Sequence, residues 1–350
     1  MQEVQAVTTI DLGSLSAKCR AVTPEAAARF AADQWGVTGV LRRFETEKDD
    51  TFRLDTPEGS AFVLKIANPA EPRDELDLQI AALDHIAHNA PDLQVPRVFP
   101  SREGPLAALE TAEGVRLARL MSFLPGRVLD TLPPDRAEQY EIGRTAARLR
   151  LAMEGFGHPA AGRTIAWDVR RLPDLEPLIA TVTDPGQRRR LETAFARFMD
   201  LLPRIEALPR QVLHNDFNRS NLVVDRSGPH PRIAGIIDFG DVVHTAIAID
   251  VSTALLNQLP REDEPSDDMF AGPRAVLAGY LSEAALSDEE LSLIPHLVMG
   301  RLVTRALLSL WRAAQFPDNS RYILRNTAQG WAQLDWFLAQ SPDEVSALLL

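Results

Sequence analysis

The run His214-Asn-Asp-Phe-Asn-Arg-Ser-Asn221 sets one aspartate, Asp216, five residues before an asparagine. A second aspartate, Asp238, ends the apolar run Gly235-Ile-Ile and precedes Phe239-Gly240, 22 residues after the first. A carboxylate can take the proton of an attacking hydroxyl, and Asp and Asn oxygens suit magnesium, a hard ion that keeps several waters. Transfer of a nucleotide's terminal phosphate to an alcohol requires both functions side by side. Either pattern alone can arise by chance, and an aspartate in a loop is more often a turn or cap residue. Strand-like segments over 211–213, 222–224 and 233–237 strengthen the signal, because a hairpin there brings both acids to one end of a small sheet.

The elements that must position these residues fall into two groups. Thr23 and Pro24 open a helix as N-cap and first helical residue. Short strands follow over 40–44, 51–55 and 61–66, then a helix over 73–88. Further strands are expected over 95–99, 106–110 and 115–123. This describes a small, mostly antiparallel sheet with one helix inserted after its third strand. Pro125-Gly126 is the first strong punctuation after it, so the lobes divide as 1–124 and 125–350. Beyond it the pattern is helical over 135–153, 187–202, from the Ser287/Glu290 capping box toward Arg312, and over 319–340. The acidic run Arg261-Glu-Asp-Glu-Pro-Ser-Asp-Asp268 reads as a loop. The fold class is α+β: a small antiparallel-sheet N-lobe with one helix and a larger, mainly helical C-lobe.

Lysine occurs only at positions 18, 48 and 65, against abundant arginine. Lys65 lies in the alternating strand Ala61-Phe-Val-Leu-Lys-Ile66, where the protein-kinase template carries its phosphate-binding lysine. A solvent-facing edge lysine is the plainer alternative. Lys48 reads as a solvated loop residue. An acid on the following helix should pair with Lys65; Asp77 is favoured over Glu75 and Asp84.

Bulk properties narrow the field. A net charge of −12 argues against nucleic acid or an anionic membrane as main partner, and is compatible with a cationic substrate. The lone Cys19 excludes an internal disulfide and a cysteine zinc site. The first 19 residues lack a basic region followed by an apolar core, and no apolar run approaches a membrane span, so a cytoplasmic enzyme is expected.

From about Thr23 to Trp336 the chain resembles the aminoglycoside phosphotransferase and choline kinase superfamily of small-molecule kinases, which share the protein-kinase fold. His214-Asn-Asp-Phe-Asn with Gly235-Ile-Ile-Asp-Phe-Gly-Asp241-Val-Val-His244-Thr is most similar to the hydroxylysine kinase branch, and to kinase-like domains fused to class III aminotransferases. The resemblance implies that Asp216 is the catalytic base, that Asn221 and Asp238 bind Mg2+, and that Lys65 contacts the nucleotide phosphates. Leu120-Met-Ser-Phe-Leu-Pro-Gly126 is similar to the hinge of these kinases, so the main chain around Ser122 and Leu124 would hold the nucleobase of ATP or GTP. Trp167 and Asp168 resemble a Trp-Asp element near the substrate, and Asp241 would join them; Trp167 as a core residue is the alternative. His214 is expected to brace the catalytic loop, and Asp250 to act as a cap or network residue. Two features depart from the pattern. The phosphate-covering loop, Glu45-Thr-Glu-Lys-Asp-Asp-Thr-Phe52, has no glycine. Asn215 replaces a glycine common in relatives, which matters little if its backbone is ordinary.

The implied partners are a nucleoside triphosphate and a small hydroxyl compound, an amino alcohol or a hydroxylated amino acid such as hydroxylysine. Glu262, Asp263, Asp267 and Asp268 lend weight to a cationic acceptor. Aminoglycoside-, homoserine- or choline-type kinases are the rivals within the class. A nucleotide-binding pseudokinase is a rival outside it, as is a two-metal hydrolase built on His214, Asp216 and Asp238, which would not need Lys65.

Overall fold

The computed structural model describes residues 17, 19–46, 48–131, 133–228, 232–261, 266–324 and 327–350. Lys18, Glu47, Glu262 and Asp263 lie outside the described residues. The chain opens with α1 (Pro24–Trp35), whose Ala26 N–H donates to the Thr23 hydroxyl, and which stops at Gly36 with a left-handed φ of +68°. Three strands follow, β1 (Val40–Arg43), β2 (Asp50–Asp55) and β3 (Ala61–Ile66), then α2 (Arg73–Asn89). The sheet is completed by β4 (Val98–Phe99), β5 (Ala107–Thr111) and β6 (Gly114–Ser122). Its order is β1-β2-β3-β6-β4, with β5 returning on β6, and every pairing is antiparallel.

Alternation along β3 decides the orientation of Lys65. Leu64 and Ile66 are buried with Phe52, Leu54 and Leu120, packed beneath Phe30 and Ala31 of α1. Side chains of neighbouring strand residues point to opposite faces. Lys65 therefore turns away from this core, and its cross-strand neighbour Arg119 does the same.

After β6 the short strand β7 (Arg127–Val128) leads to α3 (Arg136–Ala152), where Asp135 and Glu138 form a capping box. The chain continues through the single turn α4 (Glu176–Ile179) and the long α5 (Pro185–Glu206) to β8 (Arg210–Leu213), β9 (Leu222–Asp225), β10 (Arg232–Ile236) and β11 (Val243–Ala246). The remainder is helical: α6 (Ile247–Leu256), α7 (Ala271–Leu281), α8 (Asp288–Gln315), α9 (Ser320–Ile323), α10 (Thr327–Ala339) and α11 (Pro342–Ser346). Helices α3 and α7 cross backbone to backbone: a Cβ on Gly143 would lie 1.8 Å from the Val276 carbonyl, and one on Gly279 1.9 Å from that of Tyr140.

Several sequence expectations need correction. The helix expected over 319–340 is divided into α9 and α10. The strand expected over 95–99 shrinks to Val98–Phe99, because Pro96 has no N–H to offer a ladder. The short strands β7 and β11 were not anticipated. α8, at 28 residues, is long and apolar enough to cross a membrane by length and composition, yet 78% of its apolar window is buried inside the protein. It is the central helix of the C-terminal core, which includes Leu293, Leu297, Met299, Val303 and Leu307.

The passage between the two regions is tightly packed. β7 pairs antiparallel with β9, Arg127 opposite Val224 and Val128 opposite Val223, so the exit from the first sheet is fastened to the catalytic hairpin. Gly126 makes the turn at φ +134°, where a Cβ would approach Val223 Cγ1 to 2.5 Å and the Val224 carbonyl to 2.9 Å. Gly126→Ala should destabilise the protein by about 1–3 kcal/mol through combined backbone strain and overpacking. Urea unfolding would measure this, and an unchanged midpoint would contradict the close approach described.

Candidate active site

The two acids of the opening motif lie on either side of one hairpin. β9 and β10 pair antiparallel, with an irregularity between Ile233 and Gly235. Asp216 precedes β9, and Asp238 follows β10. His214 joins the two loops. Its Nδ1 accepts the Asp216 N–H at 3.2 Å, which leaves the proton on Nε2 to be donated to the Ile237 carbonyl at 3.1 Å. The ring is fully buried, edge-on to Phe217 and Phe239. His214 thus braces the loop, as anticipated.

Asn215 departs from expectation. Its φ is +61°, the left-handed region, so the glycine it replaces was not incidental. Asn is among the few residues that tolerate this conformation. Its N–H is fixed by the buried carboxylate of Asp250 on α6, at 2.7 Å, which is the network role foreseen for Asp250. Asp238 is the other non-glycine residue with positive φ among those described, at +60°, and its carboxylate accepts the Gly240 N–H at 3.3 Å. Strained backbone of this kind persists where surrounding contacts over-determine it.

Asp216 sits at the bottom of a large cleft between the first sheet and the helical region. Its Oδ2 accepts from Asn221 Nδ2 at 2.7 Å, its Oδ1 from Asn218 Nδ2 at 2.9 Å, and Arg301 Nη2 lies 3.5 Å from Oδ1. Withdrawal from water and the charge of Asp241, with a smaller share from Asp238, push the carboxyl up to about 8 against the pull of Arg301 and Asn218. With its amide nitrogen committed to Asp216, Asn221 keeps Oδ1 free of hydrogen bonds among the described residues. Asn221 Oδ1, the Asp238 carboxylate and nearby Asp241 are a hard-oxygen donor set. It fits magnesium, which takes one or two carboxylates and fills its remaining positions with water and phosphate oxygens.

Lys65 reaches across to this group. Its Nζ is 3.2 Å from Asp238 Oδ1 and 3.3 Å from Asp49 Oδ2. The lysine charge holds the Asp238 carboxyl far below the usual range, and Asp238 and Asp49 together raise the lysine despite its burial. The expected helical partner is wrong. Asp77 meets only Arg73, at 3.7 Å on the outer face of α2, among the described residues. The N-cap Pro72 and the α2 residues Glu75, Gln79 and Leu83 face the cleft. At 100° per residue Asp77 and Asp84 lie about 180–200° from Glu75 and look outward. Glu75 is committed elsewhere, accepting from Arg163 at 2.6 Å. The acid that sequence reasoning missed is Asp49, in the glycine-free loop, whose other oxygen accepts the Asn68 N–H at 3.0 Å. Lys48 is not solvated either; it pairs with buried Glu71 at 3.4 Å.

Arg163 was also missed. Besides Glu75, it donates to the carbonyls of Gly240 at 2.5 Å and Val242 at 3.0 Å, tying α2 to the loop that carries Asp238 and Asp241. A lone arginine in a loop gives no sequence signal for this. At the hinge, the Ser122 N–H is consumed by the Arg97 carbonyl and that of Phe123 by Ala61, while Ser122, Phe123 and Leu124 all line the cleft. Leu124 packs on Gly235, where a Cβ would come within 2.5 Å of its Cδ1.

The Trp-Asp element divides. Trp167 lines the cleft with the Arg301 guanidinium 5.5 Å from its ring centre, and its carbonyl accepts from Arg301. Asp168 does not face the cleft. It is 1% exposed, caps the following turn through the Arg170 N–H, and accepts from the Thr245 hydroxyl at 3.0 Å. Burial raises its carboxyl above the ordinary value. Its assignment to the substrate is corrected to a structural role. Asp241 lines the cleft beside Asp216, where it was expected.

Removing Asp49 leaves Lys65 with Asp238 alone. Asp49→Ala should therefore weaken nucleotide-dependent turnover about 10–100-fold, the value of a hydrogen bond to a charged group. Steady-state kinetics with varied nucleotide would measure this, and wild-type behaviour would show that Asp49 does not position the lysine.

Comparison with known proteins bears on the family and the fold. Residues 40–286 match the model of the phosphotransferase enzyme family, APH. The hydroxylysine kinase of Danio rerio is 24% identical over 325 residues, covering 89% of this chain and 90% of that protein. The homoserine kinase of Sinorhizobium fredii is 28% identical over 282 residues, covering 81% and 82%. Among solved structures, amicoumacin kinase hAmiN in complex with AMP-PNP, Ca2+ and Ami superposes with a TM-score of 0.66 at 17% identity, over 86% of this chain and 93% of that one. The two-lobed architecture is the protein-kinase-like fold, and the chain belongs to the APH phosphotransferase enzyme family of small-molecule kinases.

Proposed function

We propose that the protein is a magnesium-dependent kinase that moves the terminal phosphate of ATP or GTP to a hydroxyl of an amino alcohol or hydroxylated amino acid such as hydroxylysine. The observation that carries this reading is the convergence of Asp216, Asn221, Asp238 and Lys65 in one cleft. The relatives named as hydroxylysine and homoserine kinases support the acceptor class, and the amicoumacin kinase complex with AMP-PNP and Ca2+ supports a nucleotide and a divalent cation. The main chain at Leu124 would receive the nucleobase, which leaves ATP and GTP both admissible. Cytoplasmic work suits a reaction that consumes nucleoside triphosphate.

Each residue's part follows from its surroundings. Asp216 orients the acceptor hydroxyl and takes its proton, with the carboxylate held in place by Asn221 and Asn218. Lys65 neutralises phosphate charge, and Asn221 and Asp238 hold the metal. Bound magnesium would lower the repulsion among the carboxylates and offset charge on the transferred group. Catalysis is then positioning and charge compensation, without a covalent enzyme intermediate.

Asp216→Asn should lower transfer by about 100- to 10,000-fold while nucleotide binding persists, since the base is lost and Lys65, Asn221 and Asp238 remain. Mass analysis of products from a panel of amino alcohols and hydroxylated amino acids, with ATP and with GTP, would measure it. Wild-type transfer by the variant would overturn the assignment of the base.

A further inference from the structure

Several acidic side chains lining the cleft are neutralised from within the protein, while Asp241 has no ion-pair partner among the described residues. Asp130 pairs with Arg261 at 2.6 Å, Asp174 with Arg171 at 2.5 Å, and Glu75 with Arg163 at 2.6 Å. Arg301 is shared between Asp216 and the carbonyl of Trp167. Arg305, one turn further along α8, lines the same cleft and has no carboxylate partner among the described residues. Its one hydrogen bond among them is to Gln333 Oε1 at 3.3 Å.

The arginine is nevertheless well placed. Gln333 is buried, and its Nε2 donates to the Pro260 carbonyl at 3.2 Å, which fixes the amide with its oxygen toward Arg305. Gly330 on α10 makes room for the guanidinium, since a Cβ there would lie 3.2 Å from Nη2. Burial and the charges of Arg301 and Arg261 push the Arg305 pKa down to about 10, so the cation persists at neutral pH without a compensating anion among the described residues. A planar fork of donors in this state matches a carboxylate.

We infer that Arg305 anchors a carboxylate of the acceptor, so that the phosphorylated hydroxyl belongs to a hydroxylated amino acid and not to a simple amino alcohol. The inference rests on the kinase reading above and narrows it. Arg301, which touches Asp216, and Arg305 are four residues apart, about 6 Å along the helix. A hydroxyl at Asp216 and a carboxylate at Arg305 would then lie on the scale of one helical turn apart, within the span of a small hydroxylated amino acid. It adds an anionic group to the cationic acceptor that the acidic composition made admissible, because Arg305 has no carboxylate partner among the described residues.

The test compares acceptors that differ only in the carboxylate: homoserine with 3-aminopropan-1-ol, and 5-hydroxylysine with 1,5-diaminopentan-2-ol. Each is assayed with the full chain and with Arg305→Gln and Arg305→Lys, and nucleotide binding in the same preparations reports that each variant is folded. The carboxylated member should be preferred at least tenfold in kcat/KM by the wild type. Arg305→Gln should collapse that preference by raising KM about 10–100-fold, and Arg305→Lys should restore part of it. Equal use of both members by the wild type, or an unchanged preference in Arg305→Gln, overturns the inference. If no compound is phosphorylated, calorimetric binding separates the two readings. Carboxylated compounds binding the wild type and not Arg305→Gln would sustain the anchor and refute the transfer reading. Absence of any such selectivity would overturn the anchor as well.

Discussion

Three carboxylates, Asp216, Asp238 and Asp241, line one cleft, and the burial of Asp216 beside the charges of the other two is the constraint around which the surroundings are arranged. Like charges held close and away from water cannot all ionise without compensation. The protein meets part of this demand itself. Lys65 comes down from the first sheet to Asp238, Arg301 comes up from α8 to Asp216, and two asparagine amides donate to Asp216. Burial first and the charge of Asp241 second raise the Asp216 carboxyl, and a divalent cation beside these acids would offset the second of these. The long-range folding contacts serve the same end: β3 must run antiparallel to β6 for Lys65 to face the cleft, and α8 must be buried for Arg301 to reach it.

Much of the site was legible in the sequence because its residues are chemically restricted. An aspartate, an asparagine and a second aspartate on one hairpin, with a lysine in an alternating strand, can be recognised without knowing how the elements pack. His214 was legible as a support through the family resemblance and Asp250 through its place at a helix start, and both do hold the catalytic loop by hydrogen bonds. The small sheet followed from periodicity and turn residues.

What was not legible depends on rotation and on distant packing. Choosing Asp77 required knowing which arc of α2 faces Lys65, and sequence gives acidic residues on more than one arc. The answer came from a loop: Asp49 is held by Asn68, nineteen positions away, so nothing local marks it. Asp168 was misread because a Trp-Asp pair does not reveal that the two side chains diverge, one to the cleft and one to a buried turn. Asn215 was underestimated because a left-handed backbone is invisible until the loop is built. Arg301 and Arg305 lie within a helix whose apolar pattern speaks only of burial.

The pairing of β7 with β9 has a mechanical meaning. The chain that leaves the hinge is hydrogen-bonded, after only a few residues, to the strand that emerges from the catalytic loop, and Leu124 and Gly126 are wedged against the same hairpin. The ends of the nucleotide, base and terminal phosphate, are thus referred to one stiff ruler. Because that ruler is made of backbone pairing and close glycine contacts, the spacing between hinge and catalytic loop is fixed by the fold itself.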